Sequence, residues 1–179
     1  MKLDIKSRLP GAARFTITTV LVTALVFGLM WALTQWAKYE PPIEPDPLGT
    51  ITLTATEAQT HGSPQIKLVS YAGENTLGYW DYDTQWISWE ASSPQPGNYT
   101  VTLRYARPGN SSVDLILKIG DNTLTSPAPG TGGWDQWVNI ELGTIHLDDS
   151  EKQKITLKTL APPSEGIINL VHLKLTPVK

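Results

Sequence analysis

From residue 50 onward apolar side chains recur at every second position, the period of a strand with one face in a core and the other in water. Residues 98–107 show it most plainly, with Tyr99, Val101, Leu103 and Tyr105 alternating with Thr100, Thr102 and Arg104. Val113, Leu115, Leu117 and Ile119 repeat the pattern around Asp114 and Lys118, and Ile51, Leu53 and Ala55 repeat it against threonines. Each reads as a half-buried antiparallel strand. Five more strands are predicted at 66–70, 86–91, 137–142, 154–160 and 167–176. Turn-forming residues separate them, at 94–98, 108–110, 120–122, 148–150 and 162–163. Eight short strands with polar loops, and no amphipathic helical window, predict an all-β antiparallel β-sandwich, a jelly roll, over residues 50–179. Both phenylalanines, Phe15 and Phe27, lie outside that range, so Trp, Tyr and aliphatic side chains must fill the core.

The pattern before residue 50 is different. Residues 15–37 carry no charge, and 17–33, dominated by Val, Leu, Ala, Phe and Met, is long enough to cross a hydrocarbon core of about 30 Å as one transmembrane α-helix. Lys2, Lys6, Arg8 and Arg14 precede it against the single acid Asp4, which orients residues 1–14 toward the cytoplasm. Trp31, Trp36 and Tyr39 fall where aromatic rings favour the membrane interface. The expectation is a signal-anchored, single-pass membrane protein whose C-terminal domain lies in the periplasm or at the cell surface. A cleaved signal peptide is the alternative, disfavoured by the length of the run and by the lack of a small-x-small pair after it. Ala24, Gly28 and Ala32 repeat at four-residue spacing, a strip through which two such helices could self-associate, although small residues are common in membrane helices. Residues 38–49, with Pro41, Pro42, Pro45 and Pro47, read as a semi-rigid stalk spanning on the order of 30 Å.

Charge and composition narrow the chemistry. The chain carries 14 Lys and Arg against 17 Asp and Glu, with four basic residues and one acid in the first fourteen positions. The remainder is acidic, which argues against nucleic acid or anionic lipid as its ligand. There is no cysteine, hence no disulfide and no thiolate metal site. His61, His146 and His172 are isolated, without ligand spacing, and no nucleophile elbow is present. Asp81, Asp83 and Glu90 resemble a glycosidase carboxylate pair only in composition, since acids beside a strand are mostly solvated or paired. No metal site and no catalytic residue is predicted, and the protein is not read as an enzyme.

Aromatics gather in residues 77–90 and in 130–137, GTGGWDQW. Trp86, Trp89 and Trp137 sit in strand-like runs and read as core. Trp134 lies in a glycine-rich loop and, with Tyr79, is a candidate for exposure, where a ring beside amides and carboxylates suits a sugar's apolar C–H face and hydroxyl rim. NTLGYW (75–80), DTQWISWEA (83–91), PQPGNYTVTLRYA (94–106), GTGGWDQW (130–137) and INLVHLKLTP (168–177) together resemble carbohydrate-binding modules of families 6 and 35, in particular those appended to fucosidases and sulfatases. The resemblance spans residues 50–177. It implies a galactose-binding-like jelly roll that binds a polysaccharide or cell-wall glycan without cleaving it. It also implies stacking by Tyr79 and Trp134 and hydrogen bonding by Asn169, with Trp80 and Asp81 adjoining. Many relatives hold a structural calcium, but here the matching positions are Thr54, Thr56 and Val171 with only Glu57 nearby, so no cofactor is expected. The rival reading is a structural, protein-interaction β-sandwich belonging to a membrane complex.

Overall fold

The computed structural model describes residues 22, 24–32, 40–93, 95–160 and 166–179. It divides into two compact units, Met1–Pro41 and Pro42–Lys179. In the first, residues 24–32 are helical and their large apolar side chains are exposed. At 1.5 Å per residue that stretch rises about 14 Å, half a hydrocarbon core. Among the described residues no helix is long and apolar enough to cross a membrane. The assignment as a single-pass membrane protein with an extracytoplasmic domain is therefore withdrawn. With it goes the premise for self-association through Ala24, Gly28 and Ala32. The rest of the segment 15–37 lies outside the described residues, as does the segment 1–14.

The second unit holds eleven strands: β1 (Ile51–Thr54), β2 (Gln59–His61), β3 (Lys67–Tyr71), β4 (Glu74–Gly78), β5 (Trp86–Ser93), β6 (Gly97–Arg107), β7 (Val113–Ile119), β8 (Asn122–Ala128), β9 (Gly133–Leu147), β10 (Ser150–Thr159) and β11 (Asn169–Pro177). They form two antiparallel sheets. One runs β3-β4-β11-β6-β9 with β1 also paired to β11, and the other runs β2-β5-β10-β7-β8. The alternation expected from the sequence is the packing observed. Ile51, Leu53, Val101, Leu103, Tyr105, Leu173 and Leu175 from the first sheet meet Ile87, Trp89, Leu115, Leu117, Ile155 and Leu157 from the second, all buried in one core. Trp89 is fully enclosed and donates its Nε1–H to the Thr54 carbonyl at 2.8 Å, so its polar atom is satisfied as well.

Two hairpins close through two-residue turns. Gly120 and Asp121 join β7 to β8, and Gly120 takes φ +56°, the left-handed conformation this turn requires. Ala72 and Gly73 join β3 to β4 with both at positive φ, +47° and +81°.

Residues 42–49 are not a free stalk. Ile43 lies parallel beside Ala91, donating its N–H to the Glu90 carbonyl at 2.8 Å and accepting from Ser92 N–H at 3.0 Å. The Ser92 hydroxyl also bonds the Glu44 carboxylate. Asp46 Oδ1 accepts from Leu48 N at 2.8 Å and Thr50 N at 2.9 Å, folding the segment into a turn. Prolines at 42, 45 and 47 suit such a strap, because they lack the N–H that a continuous ladder would need. Residues 38 and 39 lie outside the described residues.

Candidate functional site

Two irregularities of the larger sheet open a cleft. Along β6, Tyr105 pairs with Val138 and Arg107 with Gly133, so β9 spends five residues where β6 spends two. Residues 134–137 thus face Ala106 alone, an excess of three that takes Trp134 out of the ladder. Along β11, Leu170 pairs with Tyr105 but His172 with Arg104, a bulge at Val171. Without it Asn169 would share the buried face of Leu173 and Leu175. With it Leu170 takes the core position and Asn169 is half-buried at the strand's mouth.

The cleft has a volume of about 510 Å³ and is lined by Tyr71, Gly78, Tyr79, Asp81, Trp134 and Asn169, with Val69 and Ser70 at its wall. Asn169 donates through Nδ2 to the Trp134 carbonyl at 3.3 Å, which ties the loop of β9 to the start of β11. Two glycines make room. A Cβ on Gly78 would stand 3.1 Å from Asn169 Oδ1. One on Gly166, where φ is +79°, would stand 2.9 Å from the far edge of the Trp134 indole and 3.1 Å from Asp81 Oδ1. Gly166 is thus the backing on which Trp134 and Asp81 converge.

Tyr79 is 60% exposed and holds φ at +61°, a conformation that bulky residues rarely adopt. The Lys67 ammonium sits 5.0 Å from its ring centroid, a cation–π contact that orients the phenol. What holds the backbone there is Gln85, which is fully buried. Its Oε1 accepts from Asp81 N at 2.7 Å and Tyr82 N at 2.9 Å, while its Nε2 donates to the Tyr79 carbonyl at 3.3 Å and to the Pro64 carbonyl. All four hydrogen-bonding sites of the amide are used, three on the 79–82 loop and one tying it to the β2–β3 connection at Pro64. Arg107 does similar work across the mouth. Its buried guanidinium donates to the Ile167 carbonyl at 3.0 Å and to the carbonyl and hydroxyl of Ser111. Neither residue was singled out by sequence. Each looks like an ordinary polar residue at a strand end, and only burial reveals its role.

Tyr79, Asp81, Trp134 and Asn169 are therefore brought to one cleft, and Trp80 is not. The Trp80 side chain is 1% exposed, its Nε1–H donates to the Gln85 carbonyl at 3.2 Å, and it packs in the core. The two residues follow the end of β4, and the left-handed turn at Tyr79 sends the adjacent Trp80 ring into the core. Trp80 serves the site through its backbone, whose carbonyl accepts from Ile167 N at 2.7 Å. Two other tryptophans depart from expectation. Trp86 is only half-buried, stacked on His61 at 3.6 Å between ring centroids on the outer face of the smaller sheet. Trp137 is half-buried too, and its Nε1 finds no partner among the described residues.

The position of the relatives' calcium does not fit a metal. Thr54 Oγ1 lies 2.9 Å from Thr56 Oγ1 and donates to Glu57 Oε2 at 2.5 Å. Hydroxyls and a single carboxylate that bond one another leave too few charged oxygens for a hard cation. Among the described residues no three His, Cys, Asp or Glu side chains converge elsewhere.

A profile described as "Carbohydrate binding module (family 35)" matches residues 81–173, just over half of the chain. The chain belongs to that family. Carbohydrate-binding modules of family 35 are binding domains rather than catalysts, and the matched range contains Asp81, Trp134 and Asn169. No curated protein sequence matches significantly. Solved structures share the fold at low identity. A native family 35 module from Clostridium thermocellum is 20% identical with a TM-score of 0.60, over 72% of this chain and 98% of its own. The CBM6cm-2 module of Cellvibrio mixtus lichenase 5A, solved with cellotriose, is 24% identical with a TM-score of 0.57 over 72% and 97%. Xyl-CBM35, solved with a glucuronic acid-containing disaccharide, is 19% identical with a TM-score of 0.57 over 72% and 94%.

Proposed function

We propose that this domain binds a glycan without cleaving it, holding one end of the saccharide in the cleft between Tyr79 and Trp134. The observation that carries this reading is the convergence, in a single cleft of about 510 Å³, of two aromatic rings with an amide and a carboxylate. That volume suits a small ligand. The rings cover the apolar C–H face of a sugar. Asn169 donates and accepts toward its hydroxyls, and the Asp81 carboxylate, which forms no ion pair among the described residues, accepts from vicinal hydroxyls. The two sugar-bound relatives, one with cellotriose and one with a glucuronic acid-containing disaccharide, support a saccharide as the class of ligand. Screening the full chain on a glycan array, then titrating the best ligand calorimetrically against the Trp134→Ala variant, tests the reading. Binding that survives this substitution unchanged overturns it.

A further inference from the structure

One side of the cleft is built by the β3–β4 hairpin, whose residues all precede the matched range 81–173. β3 is the last strand of its sheet, and its side chains alternate. Lys67, Val69 and Tyr71 stand on one face, paired in register with Gly78, Thr76 and Glu74 of β4. Lys67 marks the near end of this row. Its ammonium lies over the Tyr79 ring, and its partner Gly78 leaves open the space beside Asn169. A Cβ on Gly78 would also meet Val69 Cγ2 at 3.4 Å, so Val69 is the next surface beyond Asn169. Tyr71 marks the far end, four residues past Lys67 and about 13 Å along the strand. A single pyranose is shorter than this run. A ring held between Tyr79 and Trp134 therefore leaves the Tyr71 end of the cleft uncovered.

Tyr71 is 46% exposed, yet its backbone is fixed. It enters the two-residue turn at Ala72 and Gly73, and its cross-strand partner is Glu74. Arg104 of β6 donates to Glu74 Oε1 from Nε at 3.0 Å and from Nη2 at 2.6 Å, reaching across β11. This half-buried pair braces the end of the hairpin against the middle of the sheet. A ring on a braced strand is presented to a ligand with little further ordering to do. Leu68, the other large exposed apolar residue of β3, lies on the opposite face of the strand. The two therefore do not form one continuous patch of the kind a protein partner covers. A lone ring at the end of a cleft fits the apolar face of one sugar instead.

Relying on the glycan reading of the Tyr79–Trp134 cleft, we propose that Tyr71 is the platform for a second sugar residue, so that the site selects an oligosaccharide over a monosaccharide. Arg104 is a positioning residue for that platform, acting through Glu74. Val69 and Tyr71 carry no charge, so the second residue is recognised through its C–H face rather than through an ionic group.

The test is calorimetric titration of the full chain with the mono-, di- and trisaccharides of glucose, galactose, mannose and xylose. In the series that binds, the disaccharide should bind about tenfold more tightly than the monosaccharide, and the trisaccharide little better than the disaccharide. Tyr71→Ala should lose that gain while keeping the monosaccharide affinity and the melting temperature, because the side chain is exposed. Arg104→Met should weaken the disaccharide and spare the monosaccharide, a split that a purely structural role would not produce, and Arg104→Lys should restore part of the loss. Trp134→Ala should weaken every sugar in the series. Equal affinity for mono- and disaccharide, or a Tyr71→Ala variant that keeps the gain, overturns the Tyr71 platform and leaves the cleft reading standing. Indifference to Trp134→Ala overturns the cleft reading, and the platform with it, as does a chain that binds none of these sugars.

Discussion

Trp134 and Trp89 carry the same ring to different ends. Trp134 lies in the bulge of β9 and is half-buried at the cleft, so its removal should subtract a ligand contact. Trp134→Ala is expected to cost about 1–3 kcal/mol of glycan binding, one to two decades in Kd, with little change in stability. Trp89 is fully enclosed and satisfies its indole N–H on Thr54. Trp89→Ala should leave ligand contacts untouched but lower stability by about 3–5 kcal/mol, read from denaturant melts. Gln85 stands between these cases. It touches no ligand, yet its amide holds the backbone of Tyr79, Asp81 and Tyr82. In Gln85→Met those groups lose their partner, and stability should fall by about 2 kcal/mol as measured in urea. Binding should weaken as well, because Tyr79 cannot keep a positive φ without that support. Normal affinity in a destabilised Gln85→Met would show that the loop does not depend on it.

At the scale of elements, eight of the eleven strands were legible and β2, β4 and β8 were not. β6, β7 and β1 show an unbroken apolar face, and each is found within a residue or so of its expected bounds. β2 is three residues long, β4 opens with polar Glu74, Asn75 and Thr76, and β8 presents mainly Thr, Ser and Pro. Their pairing comes from neighbouring strands rather than from a hydrophobic stripe, so periodicity misses them. The cleft was legible only through its aromatic residues. Gly78, Gly166, Gln85 and Arg107 act through space and burial, which no local pattern encodes. The β3–β4 turn offers a check on element energetics. Ala72 occupies a left-handed position that favours Asn or Gly, so Ala72→Asn should stabilise the protein by about 0.5–1 kcal/mol. A thermal melt that shifts downward instead would mean that the turn is held by other contacts.

For the whole molecule, charge and titration act together. Burial, followed by neighbouring cations, holds His61 and His172 below the ordinary imidazole pKa. Both are more readily protonated in the unfolded chain. Their contribution to stability is therefore present above the ordinary value and is lost as pH falls through the lowered folded values. Melting temperature should decline across that mildly acidic window, and His61→Gln with His172→Gln should flatten the decline. The strap at Ile43 bears on the same question of integrity. β2 covers β5 only as far as Ser88, and from Glu90 to Ser92 that edge is covered by Ile43 and Glu44. A shortened protein starting at residue 50, where alternation begins, would bare those N–H and C=O groups as a template for another molecule. Such a fragment should form edge-to-edge dimers or precipitate with rising concentration, whereas one starting at residue 42 should sediment as a monomer. The domain's true beginning is thus set by the last exposed strand edge it must cover, several residues before its first strand.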